Sequence, residues 1–253
     1  MANFGTMMEE EKTKIESAER DRQENALTGN DEEVAGQGSM TSKAYARLRS
    51  DIMSGVLTPG RKLKIEELRQ IYDVGTSPIR EALSLLTSDH FVERIDQRGF
   101  RVAKISSQEF DELLVTRCWL EERALRESII KGDSSWEEQV VLSAYRLSRV
   151  PRFEPGDGFI ANPEWEQRHK HFHTTLISAC GSSIMLKFCD QLYDQNVRYR
   201  QLSGSKAYPT RDISAEHGAI CDAALARDGD LAAELLVAHY SMTGKFLQYQ
   251  LQG

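Results

Sequence analysis

Four of the chain's six histidines stand where their rings can converge on one point. His169 and His173 are four apart in Trp165-Glu-Gln-Arg-His-Lys-His-Phe-His173. That spacing sets two imidazoles on one face of a helix, a common way for one helix to give a metal two nitrogen ligands. His217 and His239 each fall on a later helical stretch. His171 points away from the 169/173 face and His90 belongs to another module. The chemistry open to this set is metal binding, and the metal could serve catalysis, sensing or simple stapling of helices. A hydrolase or oxygenase would normally add carboxylates to such a helical site. Glu166 and Glu216 are the acids nearest in sequence, but Glu216 is expected to point elsewhere on the helix, which leaves no evident general base.

The elements that must carry these residues are helical. After Ser106-Ser107 the apolar period is that of helices near 107–131, 134–149, 163–180, 182–203, 210–227 and 229–249, broken by Gly132-Asp133, Pro151–Pro163, Gly181, Gly204–Pro209 and Asp228-Gly229-Asp230. The expectation is a mainly α protein whose C-terminal part, residues 106–250, is an all-α bundle of about six helices.

A different pattern precedes it over residues 41–104. Thr41-Ser42 can cap a helix with Tyr45, Leu48, Ile52 and Met53 on one face, ended by Gly55 and Thr58-Pro59-Gly60. Ile65–Tyr72 forms a second helix. A third starts at Ser77-Pro78, with Ser77 as expected N-cap and Glu81 as its capping-box partner. Two β-like runs, Phe91–Ile95 and Phe100–Ala103, are joined by Asp96-Gln-Arg-Gly99. Three short helices and a hairpin describe a winged helix-turn-helix, whose last helix enters the DNA major groove. Thr76, Ser77 and Arg80 lie at that helix's start, where an arginine fork suits a guanine edge or a phosphate. Arg98, Gly99 and Arg101 form the wing, and Lys43, Arg47, Arg49 and Lys64 are candidate phosphate contacts.

Charge is distributed accordingly. The net charge is −7, which alone argues against nucleic acid. Yet residues 41–104 hold 12 Lys/Arg against 8 Asp/Glu, while residues 1–39 hold 4 against 10 and residues 105–253 hold 16 against 21. The basic module is embedded in an acidic chain. The first 39 residues have too few apolar groups to offset chain entropy and are expected to be a disordered acidic tail. The four cysteines show no CxxC spacing and read as buried thiols of a reducing, cytoplasmic setting. No apolar run is long enough to span a membrane, so no membrane partner is expected.

The runs Leu57-Thr-Pro-Gly60-Arg-Lys-Leu63, Val74-Gly-Thr-Ser-Pro78-Ile-Arg80-Glu81-Ala-Leu83 and Arg98-Gly99-Phe100-Arg-Val102 resemble the winged helix of the GntR family of bacterial transcription regulators. That family often has Ser-Arg-Thr before the proline, whereas this chain has Gly75-Thr76-Ser77. The resemblance therefore implies a different operator sequence. The C-terminal part resembles the FCD ligand-sensing domain of the FadR subfamily, through Arg117-Cys-Trp-Leu-Glu121, Phe172-His173, His217 and His239. The two resemblances span residues 41–250. They imply a homodimeric DNA-binding repressor. They also imply a divalent metal on His169, His173, His217 and His239, with His169 where the subfamily usually has aspartate. Nitrogen in place of an anionic oxygen favours zinc or nickel over magnesium or calcium. A small carboxylic-acid effector is implied beside the metal, with Arg117, Arg198, Tyr199 and Arg200 as candidate clamps and Glu121 as an orienting carboxylate. Trp165-x3-His169-x3-His173-Thr174 with Val197-Arg-Tyr-Arg200 also resembles regulators of glutarate and 2-hydroxyglutarate utilisation, implying a five-carbon dicarboxylate. A metal-dependent enzyme and a DNA-binding protein with a purely structural metal remain the alternatives.

Overall fold

The computed structural model describes residues 39–96, 98–155, 161–202 and 211–252. All of the expected acidic tail except Ser39 lies outside the described residues. The chain divides between Lys104 and Ile105 into two units. Among the described residues there are nine helices and one three-stranded sheet. The architecture is mainly α, as the periodicity predicts.

The first unit runs α1 (Met40–Met53), β1 (Lys62–Leu63), α2 (Ile65–Tyr72), α3 (Thr76–Ser88), β2 (Val92–Ile95) and β3 (Gly99–Val102). Leu48, Ile52, Leu68, Ile79, Leu83 and Leu86 are the inward apolar positions of the three helices and are buried in one core. Asp51, the one carboxylate buried with them among the described residues, accepts a 2.5 Å hydrogen bond from Tyr72. Between α2 and α3 the chain turns through Asp73 in the left-handed region, φ 51°, giving the tight corner of a helix-turn-helix. β3 pairs antiparallel with both neighbours, Glu93 opposite Arg101 on one side and Lys62 opposite Arg101 on the other. Gly99 begins β3 at φ 89°, a conformation open to glycine without strain.

Both expected helix caps in this unit are displaced. Ser39 caps α1, its hydroxyl accepting from Ser42 N at 3.1 Å, in place of Thr41-Ser42. Thr41 instead donates to Glu81 on α3 at 2.7 Å. That bond commits Glu81 to α1. Helix α3 starts at Thr76 with Gly75 as N-cap and no side-chain cap, so Ser77 is inside the helix. Pro78 still falls in the first turn, where its missing N–H leaves nothing unsatisfied. The strand β1 was not expected, because two residues are too few to show alternation.

The second unit consists of α4 (Ser107–Lys131), α5 (Ser134–Ser148), α6 (Pro163–Leu176), α7 (Ser183–Leu202), α8 (Ile213–Leu225) and α9 (Gly229–Gln252). Ser106, Asp133, Asn162 and Asp212 each accept backbone N–H bonds at the starts of α4, α5, α6 and α8, satisfying donors that the helix itself leaves open. Helix α6 ends at Leu176, short of the expected 180. Ser178 N bonds to Thr175 O and Cys180 N to Ile177 O, tighter three-residue closures that wind the helix down into Gly181 at φ 81°. Leu125, Trp136, Val140, Phe172, Leu176 and Leu236 fill the core of the bundle. Helices α4 and α9 approach so closely that a Cβ on Gly244 would sit 2.2 Å from Leu114 Cδ2. Any larger residue there would make the Leu114 side chain turn aside.

Candidate metal centre and nucleic-acid interface

Helix α6 supplies His169 and His173 one turn apart, α8 supplies His217 and α9 supplies His239. All four rings are buried. Centroids of His169 and His173 are 4.5 Å apart, those of His217 and His239 are 4.7 Å apart, and His169 is 5.0 Å from His217. One ring nitrogen from each lies within 4.8 Å of all the others. Ligands about 2.1 Å from a common ion stand roughly 3.4 Å apart in a tetrahedral shell, and roughly 3.0 or 4.2 Å apart in an octahedral one, so a small inward shift closes the set.

The outer nitrogens of His169, His173 and His239 are tied down, and this holds those three rings in place. Tyr240 donates its hydroxyl hydrogen to Glu121, so its oxygen accepts from His173 Nδ1 at 2.9 Å. His239 Nδ1 donates to Glu216 Oε2 at 2.7 Å. His169 Nδ1 pairs with the Tyr193 hydroxyl at 2.6 Å, and its ring stacks on Trp165 at 4.5 Å and 17°. His169 Nε2 then meets His173 Nε2 at 3.1 Å, and His217 Nε2 is buried without a partner. Burial, reinforced by mutual repulsion of the rings, pushes the pKa of His169, His173 and His217 well below the ordinary 6.5. Burial also lowers that of His239, against the opposing hydrogen bond to Glu216. Imidazoles kept neutral can turn their inner nitrogens' lone pairs onto one divalent cation. The residues present therefore fit a nitrogen-ligated divalent ion.

Two arginines stand one side chain back from the rings. Arg117 Nε donates to Glu121 at 2.6 Å, and its guanidinium lies 3.9 Å over the Tyr240 ring and 4.9 Å over that of Tyr193. Burial opposes its charge, but Glu121, Tyr240 and Tyr193 together outweigh burial and keep Arg117 protonated. One of its nitrogens, Nη2, is buried and makes no hydrogen bond. Arg200 pairs with Glu166 and bonds to Tyr193, the partner of His169. Tyr199 does not join them. It packs 5.0 Å from Phe110 and faces Glu109 at the start of α4, with Arg198 beside it. A helix turns 100° per residue, so Tyr193 and Arg200, seven apart, share the histidine face while Tyr199 and Arg198 leave it.

Glu216 corrects an expectation. It does not point away from the histidines but bonds directly to His239. Arg211 holds the same carboxylate through Nε and Nη2, both at 2.5 Å. Burial raises the Glu216 pKa, but the bonds from His239 and Arg211 outweigh it and bring it to about 2. A carboxylate so fully occupied orients an imidazole and makes a poor general base. Neither Arg211 nor the two tyrosines was identified from sequence. Tyr193 had a usable signal, its helical spacing from Arg200, and Tyr240 follows His239 directly. Arg211 had none, since it reaches a histidine 28 positions away.

In the first unit, Arg80, Ser77, Lys43, Lys64, Arg98 and Gly99 are exposed, and Thr76 is half-buried. The remaining basic candidates have internal partners. Arg47 donates to the Tyr72 carbonyl at 3.0 Å and lies 4.9 Å over its ring. Arg49 lies 5.5 Å over Phe91, and Arg101 pairs with cross-strand Glu93 at 2.6 Å.

Comparison with known proteins places both units. Residues 40–102 match the model of bacterial regulatory proteins of the gntR family, and residues 112–242 match that of the FCD domain. The chain is 41% identical to the uncharacterised HTH-type transcriptional regulator BphR of Paraburkholderia xenovorans, over 81% of this chain and 84% of that one. It is 31% identical to the HTH-type transcriptional repressor GlaR of Escherichia coli, over 83% and 96%. Among solved structures, E. coli McbR/YncC superposes with a TM-score of 0.66 at 17% identity, covering 86% of this chain and all of that one. A GntR regulator from Rhodococcus sp. RHA1 gives 0.62 at 21%, covering 83% and 98%. These two show the shared fold.

Proposed function

The chain belongs to the gntR family of bacterial regulatory proteins and carries an FCD domain, and from that premise we propose a metal-bearing repressor whose operator affinity is set by a small carboxylic acid. It is a DNA-binding transcriptional regulator and not an enzyme. The observation that carries the proposal is the convergence of four buried, neutral imidazoles beside a buried, charged Arg117. His169, His173, His217 and His239 would hold the ion, with zinc or nickel suited to nitrogen donors. When bound, such an ion offers a carboxylate a positive anchor and remaining coordination positions. Arg117, with an unpartnered buried N–H, and Arg200 supply the complementary charge. Glutarate and 2-hydroxyglutarate, implied by the resemblance, are the first acids to test.

An acid shifts the regulator only if it binds the DNA-competent and incompetent states unequally. Two-fold operators call for two copies of the winged helix. The outward face of α4, with Val115, Trp119 and Ile130 exposed, gives a homodimer an apolar surface to bury. On the DNA side, Arg80 is proposed for base reading, and Lys43, Lys64 and Arg98 for phosphates. Operator titrations of the metal-loaded chain should show the dissociation constant rising with added acid. No change up to millimolar acid would rule out this version.

A structural metal is the second reading, favoured by the depth of the site and by its ligands coming from three helices. Arg117→Lys separates the two, because it keeps the charge and loses the fork. A sensor loses acid response while keeping metal and DNA affinity. A staple keeps whatever response it had.

A further inference from the structure

A cleft of about 630 Å³ opens between α5 and α8 of the second unit. His217 and Trp165 line it. The first is a member of the cluster with a buried, unpartnered Nε2, and the second stacks on His169. The remaining wall is mainly apolar, including Val141, Leu147, Phe153 and Leu225, with Tyr145 beside them. Val141 and Tyr145 are 48% and 62% exposed, large apolar surface on α5 that the bundle core does not use. Positive charge is also present. Arg152 stands 5.3 Å over the Trp165 ring, and Arg211 lines the same cavity.

We propose that this cleft receives the body of the effector, so that the regulator selects an acid with a single carboxylate and an aromatic or branched apolar tail over a short dicarboxylate. The proposal rests on the acid-sensing reading above and assigns that site its ligand class. Three features of the cavity point this way. It is of the size that takes a drug-sized ligand, far more than five carbons fill. His217, one of the four imidazoles that would hold the anchoring ion, forms part of its wall. Its walls offer aromatic and aliphatic surface, while Arg211 is already paired with Glu216 and Asp222 adds negative charge, so an apolar tail gains more there than a second carboxylate.

Gly218 supplies the test. It lines the cleft one position from His217, and a Cβ built there meets nothing within 4 Å. Gly218→Leu therefore plugs the cavity without crowding the fold. The experiment is calorimetric titration of the full, zinc-loaded chain with propionate, hexanoate, 3-phenylpropionate and glutarate, with zinc content measured in each variant. Affinity should rise by roughly fourfold per buried methylene from propionate to hexanoate. Hexanoate and 3-phenylpropionate should exceed glutarate by about tenfold or more. Gly218→Leu should remove this preference while leaving zinc content and propionate affinity unchanged. Tyr145→Ala, at an exposed position that carries little fold stability, should weaken 3-phenylpropionate most. Glutarate binding as tightly as 3-phenylpropionate, or a plugged variant with unaltered preference, overturns the proposal and leaves acid sensing intact. If no acid binds the zinc-loaded chain, the acid-sensing reading itself fails, and this proposal with it.

Discussion

Burying four uncharged imidazoles gives the second unit a pH signature. Their folded pKa values lie below the unfolded value of 6.5 because burial penalises the charged ring. Below pH 6.5 the unfolded chain takes up protons that the folded chain refuses, so stability is complete above 6.5 and falls as pH drops. Chelator-treated protein should lose on the order of 1 kcal/mol per histidine between pH 7.5 and 5.5, read from denaturant midpoints. An unchanged midpoint would show that the rings are not buried neutral. Arg117 makes a second residue-scale prediction. Arg117→Met leaves Glu121 charged and buried without its pair, at a cost of about 3–5 kcal/mol. The double variant Arg117→Met/Glu121→Gln should recover much of this in thermal melts. Failure to recover would mean that the arginine acts through packing alone. His169 and His173 were legible as a pair because i, i+4 spacing on a helix is a local property, whereas His217 and His239 joined them only through the family resemblance. Their tyrosine partners were less legible. Tyr193 and Tyr240 meet histidines 24 and 67 positions away, separations set by tertiary packing.

Helix–helix distance governs the next level. Helices α4 and α9 meet through Gly244, where an added Cβ would overlap Leu114. Gly244→Ala gains about 1 kcal/mol of helix propensity and costs about as much in turning Leu114 aside, so its melting temperature should stay near the parent's, whereas in a Leu114→Ala background the same change should stabilise. A gain in the parent as large as in that background would refute the close approach. In the first unit, Arg80 sits exposed on the second helix of the helix-turn-helix. Arg80→Ala is expected to cost about 1–3 kcal/mol and to relax base preference, whereas Lys43→Ala or Lys64→Ala weakens all sequences alike and lowers the salt slope by about one. Binding to a panel of operator variants at two salt concentrations separates these roles. Element types were readable from period. Helix α4 occupies 107–131 as the apolar spacing predicts. Ends were less readable, because the choice between Ser39 and Thr41, or Gly75 and Ser77, depends on the long-range bond between Thr41 and Glu81.

At the scale of the whole molecule, the winged helix gives the family its DNA chemistry, and the histidine bundle is the part on which the proposed sensing rests. The overall acidity obscures the first function until charge is taken block by block. The second becomes specific only when three helices bring ring nitrogens together. Homodimer formation is expected to depend on the outward α4 face, and Trp119→Lys should yield a monomer by light scattering together with a large loss of operator affinity. An unchanged mass would move the interface elsewhere. The central claim is that the four histidines bind one ion. Its most direct test is metal analysis of the purified chain, combined with X-ray absorption at the edge of the metal found. The account predicts about one zinc or nickel per chain with imidazole nitrogens at about 2.0–2.1 Å. Loss of that ion in His173→Phe should accompany it. A chain that holds no metal after incubation with either ion, or a coordination shell without imidazole, would contradict it.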